Sequence, residues 1–196
     1  MNIWMIVLSD DPTSQYYSEM CLDQWHRLGY NIIKKEGTTP DNLGTELRFA
    51  KRKFNGNRFT DIEKAIWYSH FNIWKEVREP TYIIEHDTYP YKKLPKFEKD
   101  WGLFSTFPRN DQAWLRTREA ISPGSGYYLN RTSASILRDY AHRLPLNANV
   151  DDHTHQTARE FLKMNNEQFE EYCRSKLSCF QIVNYDVGTT ARHNGE

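Results

Sequence analysis

Ile3-Trp4-Met5-Ile6-Val7-Leu8 is apolar at every position, and that continuity constrains the fold more than any other feature of the chain. Side chains on a strand point alternately to opposite faces, so a run without polar alternates needs cover on both. Such a strand belongs in a mostly parallel sheet flanked by helices. The next segments agree. Ser9-Asp10-Asp11-Pro12 reads as a turn or cap, residues 14 to 28 as a helix stopped by Gly29, and Tyr30 to Ile33 as a second strand, which completes a βαβ pattern.

Residues 36 to 47, rich in Gly, Thr, Pro and Asn, read as a loop. Thr60-Asp61-Ile62-Glu63 has the S/T-x-x-E form of a capping box and marks the start of a helix that Pro80 closes. Ile62, Ile66, Ser69, Ile73 and Val77 share one stripe of that helix, flanked by Trp67, His70 and Trp74, and are its expected buried face. Tyr82 to Asp87, Trp101 to Phe107, Gly126 to Leu129 and Phe180 to Tyr185 are further expected strands; Arg131 to His142 and Thr154 to Lys176 are expected helices. The fold class is α/β, in a single domain over residues 1–196, with 186–196 as a loose tail.

Lys plus Arg and Asp plus Glu both number 26, so net charge exerts no global pull toward nucleic acid or an anionic membrane. Local charge must decide. Arg48 to Arg58 holds five basic residues, Lys51, Arg52, Lys53 and Arg58 among them, with Phe49 and Phe54 interleaved and no acid. With Lys92, Lys93 and Lys96 it reads either as a polyanion-binding surface or as a solvated basic face. No apolar run approaches the roughly 20 residues of a membrane helix. Cys21, Cys173 and Cys179 form an odd set behind an amino-terminal segment too short and uncharged for a signal peptide, which leads us to expect reduced thiols and a cytoplasmic protein.

The apolar run Tyr82-Ile83-Ile84 ends abruptly in Glu85-His86-Asp87. On an extended strand the two carboxylates leave on one side and the imidazole on the other. Ligands gather beyond the carboxyl ends of strands in open α/β sheets, so this position suits a hard cation holding a diphosphate. The alternative is a strand running into an acidic turn at Asp87-Thr88-Tyr89-Pro90.

Three stretches resemble the family 25 glycosyltransferases, which include lipooligosaccharide and collagen galactosyltransferases. Thr60, Glu63, Ser69, His70 and Trp74 fall where that family has T-x-G-E-I-G-C-x-x-S-H and a following tryptophan, although Ile62, Ala65 and Ile66 replace its glycines and cysteine. Tyr82 to Asp87 is similar to the family's aliphatic run ending in E-D-D, with His86 in place of an acid. Gly124-Ser125-Gly126-Tyr127-Tyr128-Leu129 resembles its G-x-x-G-Y-x-I segment, and Asp151-Asp152 an acidic position further on.

The resemblance implies a GT-A-like (Rossmann-like) fold and transfer of a sugar, with inversion, from a nucleotide sugar such as a UDP-sugar to an acceptor hydroxyl. It implies Mn²⁺ or Mg²⁺ at Asp87, with Glu85 binding metal or ribose and His193 as a further ligand if the tail closes. Ser9, Asp10, His70 and Gly126 would contact the donor, and Asp151, or else Asp152, would be the base. Capping explains Ser9, Asp10 and the two later aspartates as well. The acceptor is either a hydroxymethylated base of phage DNA or a saccharide of lipopolysaccharide type. A noncatalytic sugar- or nucleotide-binding protein on a transferase fold, and a metal-dependent phosphoesterase, are the rival classes.

Overall fold

A computed structural model describes residues 1–43, 59–90, 93–94, 96–103, 126–143, 157, 160–165, 167–168 and 180–182. Its elements are β1 (Asn2–Val7), α1 (Pro12–Arg27), β2 (Ile33–Glu36), α2 (Asp61–Glu76), β3 (Thr81–Glu85), β4 (Thr88–Pro90), β5 (Trp101–Leu103), β6 (Gly126–Leu129), α3 (Arg131–Arg143) and β7 (Phe180–Ile182). The larger sheet has five strands in the order β2-β1-β3-β6-β5. β1 pairs in parallel with both β2 and β3, and β6 runs antiparallel between β3 and β5. β4 pairs antiparallel with β7 in a separate two-stranded sheet.

Burial on both faces accounts for the unbroken apolar run. Trp4 and Ile6 of β1 join Ile83 of β3 and the buried residues of α2 and α3 in one core. Ile3, Met5 and Val7 join Tyr82, Ile84, Cys21 and Trp25 in another, beneath α1. The mostly parallel sheet between helices is therefore as expected from the sequence.

Local chemistry sets the helix ends. Asp11 caps α1 by accepting from the Thr13 amide at 2.8 Å, and Pro12 needs no amide partner at the first helical position. At the other end Gly29 takes φ +84°, its amide bonding His26 O while the Tyr30 amide bonds Trp25 O. This pair of bonds is a Schellman motif. Because Tyr30 is turned back onto the helix, with its ring edge-on to Trp25, the second strand begins at Ile33 rather than at Tyr30. The capping box of α2 forms as expected: Thr60 Oγ1 accepts from the Glu63 amide at 3.2 Å, and Glu63 Oε2 accepts from the Thr60 amide at 2.7 Å.

The buried face of α2 corrects the expected stripe. Ile62 and Ile66 are exposed, at 48% and 42%, whereas Ala65, Trp67, Tyr68, Ser69, His70, Phe71, Ile73 and Trp74 are buried. The helix packs on both the sheet and α3, and its large rings bury more area than isoleucines one turn apart can. Trp67 stacks on Phe71 at 4.9 Å and meets Trp74 edge-on at 6.1 Å. β5 ends at Leu103 and β7 at Ile182 among the described residues. Within the expected helix 154–176, residues 157, 160–162 and 167–168 are helical and Lys163 to Asn165 interrupt it. No helix among the described residues is long and apolar enough to cross a membrane.

These packing assignments separate two isoleucines of similar hydrophobicity. Ile83→Ala, in the central strand, is expected to cost about 2–5 kcal/mol in urea unfolding. Ile66→Ala should stay within about 0.5 kcal/mol of wild type. A large loss for Ile66→Ala would restore the stripe read from the sequence.

Candidate functional site at the carboxyl ends of the parallel strands

Parallel pairing of β1 with β2 and β3 places their carboxyl ends side by side, with Val7 beside Glu36 and Ile6 beside Glu85. The chain leaves all three strands at this edge. Gly37 crosses close above β1, its amide donating to Val7 O at 2.8 Å. A Cβ there would lie 2.7 Å from Leu8 Cδ2 and 3.2 Å from Ile6 Cγ2, so a larger residue would have to displace the end of the Leu8 side chain. Ser69 of α2 anchors the following residue: its Oγ accepts from the Thr38 amide at 2.7 Å and donates to Ala65 O at 2.9 Å. Ser69 thus ties α2 to the loop after β2.

Ser9 and Asp10 are exposed at the same edge. The helix cap is Asp11, so neither residue serves that purpose; the Ser9 amide donates to Glu36 Oε1 at 3.0 Å. Glu63 is held in its capping box and stands at the far end of α2's first turn, away from a site role.

His70 is the centre of a buried network. Its Nδ1 lies 2.7 Å from the hydroxyl of Tyr127, which also accepts from Trp74 Nε1 at 2.9 Å. Its Nε2 lies 3.5 Å from Glu85 Oε1. His70, Trp74 and Tyr127 are essentially inaccessible to solvent, while Glu85 is part-exposed at the strand end. The three chain segments singled out in the sequence therefore meet here: His70 and Trp74 from the first, Glu85 from the second, and Tyr127, next to Gly126, from the third. Gly126 itself is buried at the start of β6, opposite Ile84.

Strand alternation does not extend to Asp87. β3 ends at Glu85 and residues 86 and 87 form a turn into β4, so the shared face expected for Glu85 and Asp87 is not set by strand register. Burial lowers the pKa of His86, opposed by the charges of Glu85 and Asp11. Asp87 is buried beside α1. Burial first, and then the charge of Glu85, push its carboxyl up to about 7, against its own backbone amide. Burial, with the neighbouring Asp87, pushes the Cys21 thiol up to about 12 and leaves it inert.

Asp87 Oδ1 is buried without a hydrogen-bond partner among the described residues. A buried oxygen of this kind beside a second carboxylate suits a hard cation that takes its other ligands from water and a bound diphosphate. Among the described residues no three His, Cys, Asp or Glu side chains form a ready-made cluster. Two carboxylates are what Mg²⁺ or Mn²⁺ at a diphosphate ordinarily uses, so the residues present fit such an ion.

Asp151, Asp152, His193, Lys51, Arg52, Lys53 and Arg58 lie outside the described residues. The hydrogen-bond partners around His70 that sequence reading passed over are the Tyr127 hydroxyl and, through it, the Trp74 indole. Their positions in the resembling segments were the available signal, but nothing local says that a phenol 57 residues away meets His70.

No family model and no curated protein matches the chain. Among solved structures, the chain is similar to a glycosyltransferase involved in glycosylation of the major capsid of PBCV-1, with TM-score 0.48 and 11% identity over 93% of this chain and 94% of that one. It is also similar to the glycosyltransferase GlyE of Streptococcus pneumoniae TIGR4, with TM-score 0.42 and 11% identity over 98% of this chain, which spans 50% of that one. The scores are low, and the functional reading stands on this chain's own residues.

The raised carboxyl of Asp87 has a signed consequence. With its folded pKa near 7, above its ordinary 3.8, the native state holds the proton more tightly than the unfolded chain, so stability falls as pH rises between these values. Asp87→Asn removes that ionisation. In metal-free buffer it should match wild type at about pH 4 and exceed it by a few kcal/mol at about pH 8, at roughly 1.4 kcal/mol per pKa unit. Equal stability at the higher pH would show an ionised, partnered Asp87.

Proposed function

We propose that this protein is a glycosyltransferase that moves a sugar from a nucleotide sugar, a UDP-sugar in the first instance, to an acceptor hydroxyl with inversion at the anomeric carbon. The observation that carries the reading is the convergence of His70, Glu85 and Tyr127 at the end of β3, near Asp87 Oδ1, which has no hydrogen-bond partner among the described residues. Chain segments far apart in sequence supply these groups, and the site lies where α/β sheets hold nucleotides and their phosphates.

In this reading Ser9 and Asp10, exposed at the end of β1, face the nucleoside, and an aspartate accepts from a ribose hydroxyl or base N–H. Gly126 and His70 belong to the donor side in this reading, the buried His70 acting through Glu85. Asp87 and Glu85 would hold a divalent cation, with His193 as a further ligand; bound there, it would supply positive charge against the diphosphate leaving group. Asp151, or Asp152 in its place, takes the proton of the acceptor hydroxyl as its oxygen attacks the anomeric carbon. Lys51, Arg52, Lys53 and Arg58 belong to the acceptor side, where a phosphate-bearing acceptor gains from their charge.

The test is incubation with a panel of UDP-sugars and Mn²⁺ or Mg²⁺, scoring UDP release and product mass with hydroxymethylated DNA and with a lipopolysaccharide-type oligosaccharide. Transfer to either supports the proposal and identifies the acceptor class. Retained nucleotide binding without turnover of any donor would favour the noncatalytic binder, and cleavage of simple phosphodiesters the phosphoesterase. Asp87→Asn should lower kcat by about 100-fold or more, since several kcal/mol of transition-state stabilisation pass through that carboxylate. Full activity in this variant would remove the metal assignment.

A further inference from the structure

We propose that Trp74, Tyr127 and His70 act as a positioning chain that aims one histidine tautomer at Glu85 and so sets the orientation of its carboxylate toward the donor. This rests on the reading of Glu85 as a donor-side group.

Each link follows from placement. His70 and Trp74 are four residues apart on α2 and therefore project from one face of the helix. Tyr127 is registered opposite Ile83 in the antiparallel β3–β6 pair, so it leaves the sheet on the face that carries Ile83 and, two residues on, Glu85. The phenol, the imidazole and the carboxylate are thus gathered on one side of the sheet, under α2.

Proton inventory then selects the tautomer. An indole N–H can only donate, so the Tyr127 oxygen accepts from Trp74 at 2.9 Å. The phenol has one proton to give, and His70 Nδ1 lies 2.7 Å away. When Tyr127 donates to Nδ1, neutral His70 carries its proton on Nε2, facing Glu85 Oε1, which as a carboxylate can only accept. The opposite tautomer would set a bare nitrogen lone pair against a carboxylate in a buried place. The 3.5 Å separation is at the long end for a hydrogen bond, a range from which site groups close when substrate is engaged.

Burial gives the chain its purpose. His70, Trp74 and Tyr127 are at most 1% exposed, so their geometry is held by packing, while Glu85 stands at the mouth of the site. A fixed N–H beneath a part-exposed carboxylate narrows the orientations it takes before a ligand arrives.

The test reads the tautomer directly, by long-range ¹H–¹⁵N correlation on ¹⁵N-histidine protein. His70 is expected as the Nε2–H tautomer, with Nδ1 accepting from Tyr127. Tyr127→Phe, which keeps the ring, should lose that single tautomer, and Glu85→Gln should shift the Nε2 resonance with Tyr127 intact. In donor kinetics Tyr127→Phe should lower kcat/KM by about 10-fold, chiefly through donor KM. His70→Gln, whose amide N–H can replace Nε2–H, should retain more activity than His70→Ala. An imidazolium or an Nδ1–H tautomer at His70 would overturn the proposal, as would an unmoved Nε2 resonance in Glu85→Gln. So would wild-type kinetics in Tyr127→Phe. Because the spectra need no turnover, failure to find any donor would sink the transferase reading while leaving the chain from Trp74 to Glu85 separately decided.

Discussion

Covering the β1–β3 pair on both faces is the constraint on which the rest depends. Neither strand offers a polar face to water through Ile3–Val7 or Tyr82–Ile84, so α1 must cover one side and α2 with α3 the other. Helices on both sides leave the chain one economical way to connect strands, crossing over and returning in parallel. Parallel strands in turn put their carboxyl ends at one edge. The site is a consequence of how the core is closed.

At that edge the buried core and the polar groups interlock. Ser69 and His70 are adjacent on α2; one secures the loop after β2 and the other reaches Glu85 through the buried network. The aromatic packing of Trp67, Phe71 and Trp74 fixes the rotation of α2, and that rotation decides which way His70 points. Core packing and site geometry therefore share the same helix. Asp87 shows the opposite tendency: its Oδ1 is buried without a hydrogen-bond partner among the described residues, which is costly to the fold.

Features made by neighbours in sequence were legible beforehand. The Thr60–Glu63 capping box and the Gly29 stop are local bargains between a residue and the backbone within five positions, and each formed where expected. The start of β2 was misplaced by three residues because the Schellman motif draws Tyr30 back onto α1. The face of α2 was misjudged for a different reason. Periodicity reports which residues align, not how many surfaces press on a helix, and contact with α3 as well as the sheet widened the buried face to the aromatics and left Ile62 and Ile66 outside. In the site, Glu85, Asp87 and His70 were legible by type and position, whereas the end of strand alternation at Glu85 was not.

By itself, the sequence determined the class of fold, because an unbroken apolar strand has few ways to be buried, and it determined which segments carry polar groups worth gathering. Contacts between distant segments alone bring the Tyr127 hydroxyl, 57 residues from His70, to 2.7 Å from its Nδ1. They alone leave Asp87 Oδ1 buried without a hydrogen-bond partner among the described residues. Register across strands and rotation of a helix are set by contacts between distant segments, and such contacts have no signature within any one of them.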